Sequence, residues 1–351
     1  MSLRSLTRPA AAAASVLLLG ALAACGGGAG ATAADGSTTL RYQGTPSAVQ
    51  FPELAADLGY FEKVELEWTS DTTSGPTSIQ NVATGQSDFG SAFNGAVVKL
   101  ADAGAPITAV VDSYGADDET FTGYYSLESS DIRTAEDLIG KKVGMNTLGA
   151  HHESITREWL SQQGLSEAEI EKVELTVVPP VNTEQALRKG QIDVAALGGL
   201  FRDQALSRGG LRQLYADKDL YDTFSYGTYV VRDDLLKKNP EAVKDFTQGV
   251  ARAIRWAQVT PREEVVARYK KIITERGRAG EDPSIADFYK SSGIPVPGGV
   301  IQEDEISIWA DWLQRTGQLE NDDVDVKELF TNEFNPYANG ELEPDAGPEA
   351  S

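Results

Sequence analysis

Four short loops of this chain carry groups that can hold a small polar molecule: Gln43-Gly44-Thr45-Pro46-Ser47, Ser91-Ala92-Phe93-Asn94-Gly95, Asn146-Thr147-Leu148-Gly149-Ala150 and Leu197-Gly198-Gly199. Each follows an expected strand and precedes an expected helix. Unpaired backbone N–H groups and the helix dipole at such places favour an anion or a carbonyl oxygen. Thr45, Ser91, Asn94 and Thr147 are the side chains expected to add hydrogen bonds. Gln43, Asp112, Asn146, Gly149, Ala150 and Gly199 complete the polar and backbone part of the candidate set. Taken singly, each hydroxyl or amide is explained as well by plain N-capping; convergence from two parts of the chain argues for a ligand. Phe93, Tyr124 and Tyr226 offer faces for an organic tail, or pack in a hinge or core. No arginine sits within the loops.

His151-His152-Glu153 does not read as a metal site. Adjacent helical residues point about 100° apart, whereas shared ligation uses i,i+3 or i,i+4 spacing, and these are the only two histidines. Whether His151 touches a ligand stays open. One cysteine builds no thiol-dependent site, no P-loop-type glycine run is present, and no cofactor is expected. Asp112, Asp117 and Asp118 are the only carboxylates near a strand end that an enzyme could recruit.

The elements that must position these loops occur twice. Lys63-Val64-Glu65-Leu66 returns as Lys172-Val173-Glu174-Leu175, and Gln80 with Gly85-Gln86-Ser87-Asp88-Phe89-Gly90 returns as Gln185 with Gly190-Gln191-Ile192-Asp193-Val194-Ala195. Each copy reads as strand, helix, glycine turn, short apolar strand, small-residue loop and helix. Two α/β lobes facing each other enclose a cleft, and a cleft implies a ligand.

Arg4 and Arg8 precede an uncharged run from Pro9 to Ala24 that ends in Leu22-Ala23-Ala24-Cys25. The run is too short for the roughly 20 apolar residues of a spanning helix. It resembles a bacterial lipoprotein signal peptide, which implies cleavage before Cys25, lipidation of its thiol and an extracytoplasmic chain anchored to the outer face of the cell membrane or lying in the periplasm. The glycine- and alanine-rich stretch to Ser37 is then a flexible tether. The net charge of −22 becomes −24 once Arg4 and Arg8 are removed, and no long basic run exists, so nucleic acid is a poor partner.

Strands are expected at Thr39–Gln43, Val64–Trp68, Ile107–Asp112, Lys142–Met145, Val173–Val178, Asp193–Leu197 and Leu211–Tyr215. The aromatic extended segments Phe121–Ser126 and Phe224–Val231 are expected to be hinge crossings. Gln43-Gly44-Thr45-Pro46, Leu58-Gly59-Tyr60-Phe61, Thr134-Ala135-Glu136-Asp137-Leu138-Ile139-Gly140-Lys141-Lys142-Val143-Gly144, Asn239-Pro240-Glu241-Ala242-Val243 and the two Gly-Gln-x-Asp turns together resemble the ABC-importer solute-binding lipoproteins of the nitrate/sulfonate/taurine, or NMT1/THI5-like, group.

The resemblance implies an α/β, type II periplasmic-binding-protein fold: two lobes with mixed sheets joined by two hinge strands, with a ligand held between them by helix N-termini. It also implies a permease partner with a separate ATPase subunit, and a monomer. The expected organisation is a signal peptide 1–24, lipidated cysteine and tether 25–37, first lobe 38–122, second lobe with crossings 123–226, first-lobe completion 227–335 and a fraying tail 336–351. The yeast-type pyrimidine synthases that share this fold carry a cysteine-rich motif absent here. The expected ligand is a small organic anion such as an alkanesulfonate, taurine or nitrate. A thiamine- or riboflavin-precursor heterocycle, a cationic amine, or no small ligand at all in a surface interaction lipoprotein are the alternatives.

Overall fold

The computed structural model describes residue 33 and residues 36–321 and 324–349. Cys25, the expected signal peptide and nearly all of the expected tether lie outside the described residues. The first lobe begins with β1 (Thr38–Gly44), α1 (Phe51–Leu58), β2 (Val64–Asp71), α2 (Gly75–Ala83), β3 (Phe89–Phe93), α3 (Asn94–Asp102) and β4 (Ile107–Ala116). The chain then builds β5 (Thr122–Leu127), β6 (Lys142–Met145), α4 (His151–Gln162), α5 (Glu167–Ile170), β7 (Glu174–Val177), α6 (Pro180–Arg188), β8 (Val194–Gly198), α7 (Gly199–Ser207) and β9 (Leu211–Ala216). It returns through α8 (Lys218–Tyr221) to β10 (Phe224–Arg232), α9 (Asp233–Lys238), α10 (Pro240–Val259), α11 (Arg262–Arg276) and α12 (Asp304–Arg315).

The second lobe holds one mixed sheet in the order β7-β6-β8-β5-β9. In the first, parallel β1 and β2 stand beside an antiparallel β3-β10-β4 sheet, and Asp88 N donating to Arg41 O at 2.8 Å joins the two. The lobes therefore share one plan, and each receives an antiparallel strand from a chain that has just left the other. The expected two-lobed α/β fold with mixed sheets is the fold observed.

The twice-written turn is also the same object in three dimensions. Gly85 and Gly190 both take positive φ, 78° and 66°, which a side chain would oppose. Asp88 accepts from Arg41 N and Asp193 from Lys142 N, both at 2.9 Å, fixing β3 and β8 against β1 and β6. The Lys-Val-Glu-Leu copies sit two residues out of register: Arg41 pairs with Glu67, whereas its counterpart Lys142 pairs with Glu174. A slip of two keeps every side chain on its own face.

Phe121–Ser126 and Phe224–Val231 fall mostly within β5 and β10, each between two partners, because aromatic and β-branched residues pack best inside a sheet. Residues 117–121 and 217–223 make the crossings. The C-terminal residues do not detach: Tyr337 is buried, and Arg252 and Arg255 side chains donate to Pro348 O and Ala346 O. Three clusters of buried apolar residues form the interior among the described residues, and the one that draws on both lobes includes Phe93, Tyr226 and Trp309. No helix among the described residues is long and apolar enough to cross a membrane.

Candidate ligand-binding cleft

Strand-end loops from both lobes meet around two adjoining cavities of about 330 and 300 Å³, which share Thr45, Gly75, Tyr114 and Asn146 as walls. The N-termini of three helices face this space. α2 is opened by Ser74, whose hydroxyl accepts from Thr77 N, α4 follows Ala150, and α7 follows Gly198. A helix start leaves N–H groups without intrahelical partners, so three converging starts make a donor-rich enclosure.

The first-lobe wall is hydroxylic, with Thr45, Thr72, Ser74, Ser78, Ser91 and Ser113. Ser91 Oγ donates to Ser113 Oγ at 2.7 Å. The floor, to which both lobes contribute, is made of neutral rings. His151 lies flat on Tyr226, with centroids 3.7 Å apart and planes 6° from parallel, while Phe93 stands edge-on to Trp309 behind them. Burial, and then His152, push the His151 imidazole well below its ordinary range, and burial pushes His152 to about 4. Both rings are therefore uncharged near neutrality. Asp217 lies under His151, 3.6 Å from Nε2. Burial raises its carboxyl to about 7, although Thr122 N and Lys218 N donate to it.

Between the cleft-lining loops two hydrogen bonds join the lobes: Asn146 Nδ2 donates to Thr73 O at 3.0 Å, and the Ser74 and Thr147 hydroxyls meet at 3.2 Å. Of the expected site residues, Thr45, Ser91, Phe93, Asn146, Thr147, Ala150, Gly199 and Tyr226 line the cavities. Gln43 does not, because its amide is engaged by Ser70 Oγ and Asn81 Nδ2 inside the first lobe. Asn94 is turned into the core, where its Nδ2 donates to Glu305 O. Asp112 lies between Val111 and Ser113 on β4, and since neighbouring side chains alternate, Ser113 reaching the cleft sends Asp112 to the far face beside Glu305. Gly149 gives its N–H to Glu153 Oε2 and serves as a turn at φ 69°. Tyr124 is buried in the sheet, stacked on Tyr215.

Residues overlooked in the sequence are Thr72–Gly75, Tyr114, His152, Thr120–Thr122 and Ser292–Gly293. The first group carried a legible signal, since three hydroxylated residues followed a parallel strand and preceded a proline-started helix.

Residues 53–264 match the family described as NMT1/THI5 like. The chain belongs to that family. Within its wider similarity, a putative binding protein of Brucella abortus is 25% identical over 229 residues, 62% of this chain and 67% of its own. A putative aliphatic sulfonates-binding protein of Escherichia coli is 29% identical over 170 residues, covering 48% of this chain and 45% of its own. The 4-amino-5-hydroxymethyl-2-methylpyrimidine phosphate synthase of Saccharomyces cerevisiae is 24% identical over 317 residues, covering 84% and 86%. Among solved structures, the periplasmic aliphatic sulphonate-binding protein SsuA of Escherichia coli aligns with TM-score 0.62 at 20% identity, covering 83% of this chain and 91% of its own. The periplasmic nitrate-binding protein NrtA of Synechocystis aligns at 0.68 and 15% identity, covering 89% and 92%. This NMT1/THI5-like chain thus shares its two-lobed fold with periplasmic solute-binding proteins and is similar in sequence to binding proteins and to a synthase.

Proposed function

We propose that the chain is the extracytoplasmic receptor of an ABC importer, which captures a small organic anion between its lobes and delivers it to a membrane permease served by a separate ATPase. The observation that carries this reading is the convergence of the α2, α4 and α7 N-termini, drawn from both lobes, on cavities walled by hydroxyls. Among the described residues, no lysine or arginine lines these two cavities. Helix starts and neutral donors would therefore solvate the anionic head, as they do for phosphate and sulfate elsewhere. An aliphatic sulfonate, taurine or nitrate fits that head, and Phe93, Tyr114 and Phe121 offer an apolar side for a short tail. Contacts made by the solute with both lobes favour the closed form, which is the form a permease would accept. Lipidation at Cys25 would hold the receptor, a monomer, at the membrane.

A second reading is favoured by the flat His151–Tyr226 stack: a neutral heterocycle, such as a thiamine or riboflavin precursor, could extend it by one more ring. Catalysis is not proposed. Asp112 is sealed behind the sheet, Asp117 is occupied by Glu119 N, Thr120 N, Ser291 Oγ and Gly293 N, and Asp118 is exposed. The test is thermal unfolding against sulfonates, nitrate, carboxylates, pyrimidines, flavins and amines. A solute at about 100 times its dissociation constant adds about 2.7 kcal/mol to stability. A sulfonate response lost in Thr147→Trp supports the reading, a response confined to heterocycles moves it to the second, and silence across the panel refutes a transport receptor.

A further inference from the structure

We propose that His151 and Asp217 act as one protonation unit on the cleft floor, so that an anionic solute is captured together with one proton taken up from solvent. The inference rests on the anion reading above and adds to it the residues that sense the charge. His151 lines the larger cavity and is clamped against Tyr226, with Phe93 at 5.8 Å on another side. Its Nε2 is shut off from water, has no hydrogen-bond partner and points at Asp217 Oδ2 from 3.6 Å. A movement of about half an ångström would turn that spacing into a hydrogen bond.

Asp217 is fully buried and stands at the start of the second crossing. Both its oxygens accept from Thr122 N, at 3.2 and 3.1 Å, and its own N–H donates to Thr122 O, so it ties the second crossing to the end of the first. The unit therefore touches the solute cavity on one side and the hinge on the other.

The groups around the pair leave it as the element that changes charge near neutrality. The hydroxyls of Tyr114, Tyr124, Tyr125, Tyr215 and Tyr226 are all raised by burial and stay neutral. His152 is neutral for the same reason. Of the fixed charges, Lys218 lies over the Phe121 ring, Arg202 sits over that ring and pairs with Asp203, and Asp219 accepts from Ala216 N. An anion seated against His151 raises the affinity of the pair for a proton. That proton comes from the buffer and rests on Asp217 Oδ2 or His151 Nε2, and no bond of the solute changes. With burial lifting Asp217 to about 7, the empty pair is already protonated in mild acid and must take a proton up above neutrality.

The chain's two histidines make the pair directly visible. Nitrogen-15 spectra of the imidazoles, assigned with His152→Gln, should show His151 neutral from about pH 5 to 9, with a step near pH 7 that vanishes in Asp217→Asn. A His151 ring titrating by itself near its ordinary value, unchanged in Asp217→Asn, overturns the unit. Calorimetry with ethanesulfonate at about pH 8, in two buffers of different protonation enthalpy, then counts the protons. Uptake should approach one, disappear in Asp217→Asn and fall in His151→Gln, which leaves the backbone bonds of Asp217 intact. Affinity should drop up to tenfold per pH unit above about 7. Binding without proton uptake overturns the proposal. If neither ethanesulfonate nor nitrate binds, the anion reading falls and the uptake with it, while the solute-free titration still decides whether the unit exists.

Discussion

Asp88 in the first lobe and Asp193 in the second cap the same turn, yet they keep different company. Asp88 also receives the Arg41 guanidinium at 2.9 and 3.0 Å, and nearby Glu53, buried, takes Tyr42 OH, Arg276 and Arg278, each at 2.8 Å. The second lobe has no such buried ionic knot among the described residues around Asp193; its interior holds stacked rings, Tyr124 on Tyr215 on Trp159, and its His151 stacks on Tyr226 of the first-lobe strand β10. One backbone plan thus carries two chemistries. The first lobe is pinned by ion pairs and gives the cleft most of its hydroxyls together with Phe93, Tyr114 and Tyr226, whereas the second gives it the two neutral imidazoles, which can meet a solute without carrying a fixed charge.

The difference can be tested by removing each kind of support. Glu53→Ala leaves the buried Arg278 guanidinium without a carboxylate, although Arg276 keeps Glu281, and should cost about 3 kcal/mol in urea unfolding, whereas Asp193→Ala loses one turn cap and should cost about 1 kcal/mol. Equal losses would dissolve the contrast. The Glu305–Asp112 pair and His152 should also answer pH with opposite sign. Burial raises Glu305 to about 7, and Asp112 beside it is raised as well, so their stabilisation is complete below the unfolded value near 4.5 and is lost as pH climbs through about 7. Thermal unfolding between about pH 5 and 8.5 should register up to about 3 kcal/mol of loss, reduced in Asp112→Asn. His152, lowered to about 4, works the other way: stability is present above the unfolded value of 6.5 and is lost as pH falls toward 4. Because the residue is partly exposed, about 1–2 kcal/mol is expected, removed by His152→Gln. The smallest effect concerns the latch across the cleft. Asn146→Ala deletes the bond to Thr73 O and should weaken solute binding about fivefold, whereas Asn94→Ala should lower stability and leave affinity unchanged.

The two-lobed architecture was legible because the repeat is written in residues with backbone duties: Gly85 and Gly190 for their positive φ, Asp88 and Asp193 for their caps. The cleft was legible where a loop leaves a strand in the usual direction, at Thr45, Asn146, Thr147 and Gly199. Asn94 and Asp112 face away from the cleft for a shared reason: strand alternation and helix packing decide which way a polar side chain faces, and Glu305 of α12, which accepts from the Asn94 amide and stands beside Asp112, lies 211 residues beyond Asn94. His151 was noticed as a neighbour of the loop, but its stack on Tyr226 and its approach to Asp217 join strands and crossings far apart in sequence. The aromatic segments Phe121–Ser126 and Phe224–Val231 suit both a crossing and a sheet interior, and only the pairing partners show that they belong to β5 and β10.

The central claim is that solute is captured by closure of one lobe on the other. The most direct measurement is the distance between spin labels at Glu65→Cys in the first lobe and Val177→Cys in the second, in a chain carrying Cys25→Ser, with and without the strongest solute of the panel. The account predicts a long, broad distribution without solute that collapses to a shorter, narrow one when the solute is saturating, and that stays broad in Thr147→Trp. A distance that does not change when the solute binds would contradict it.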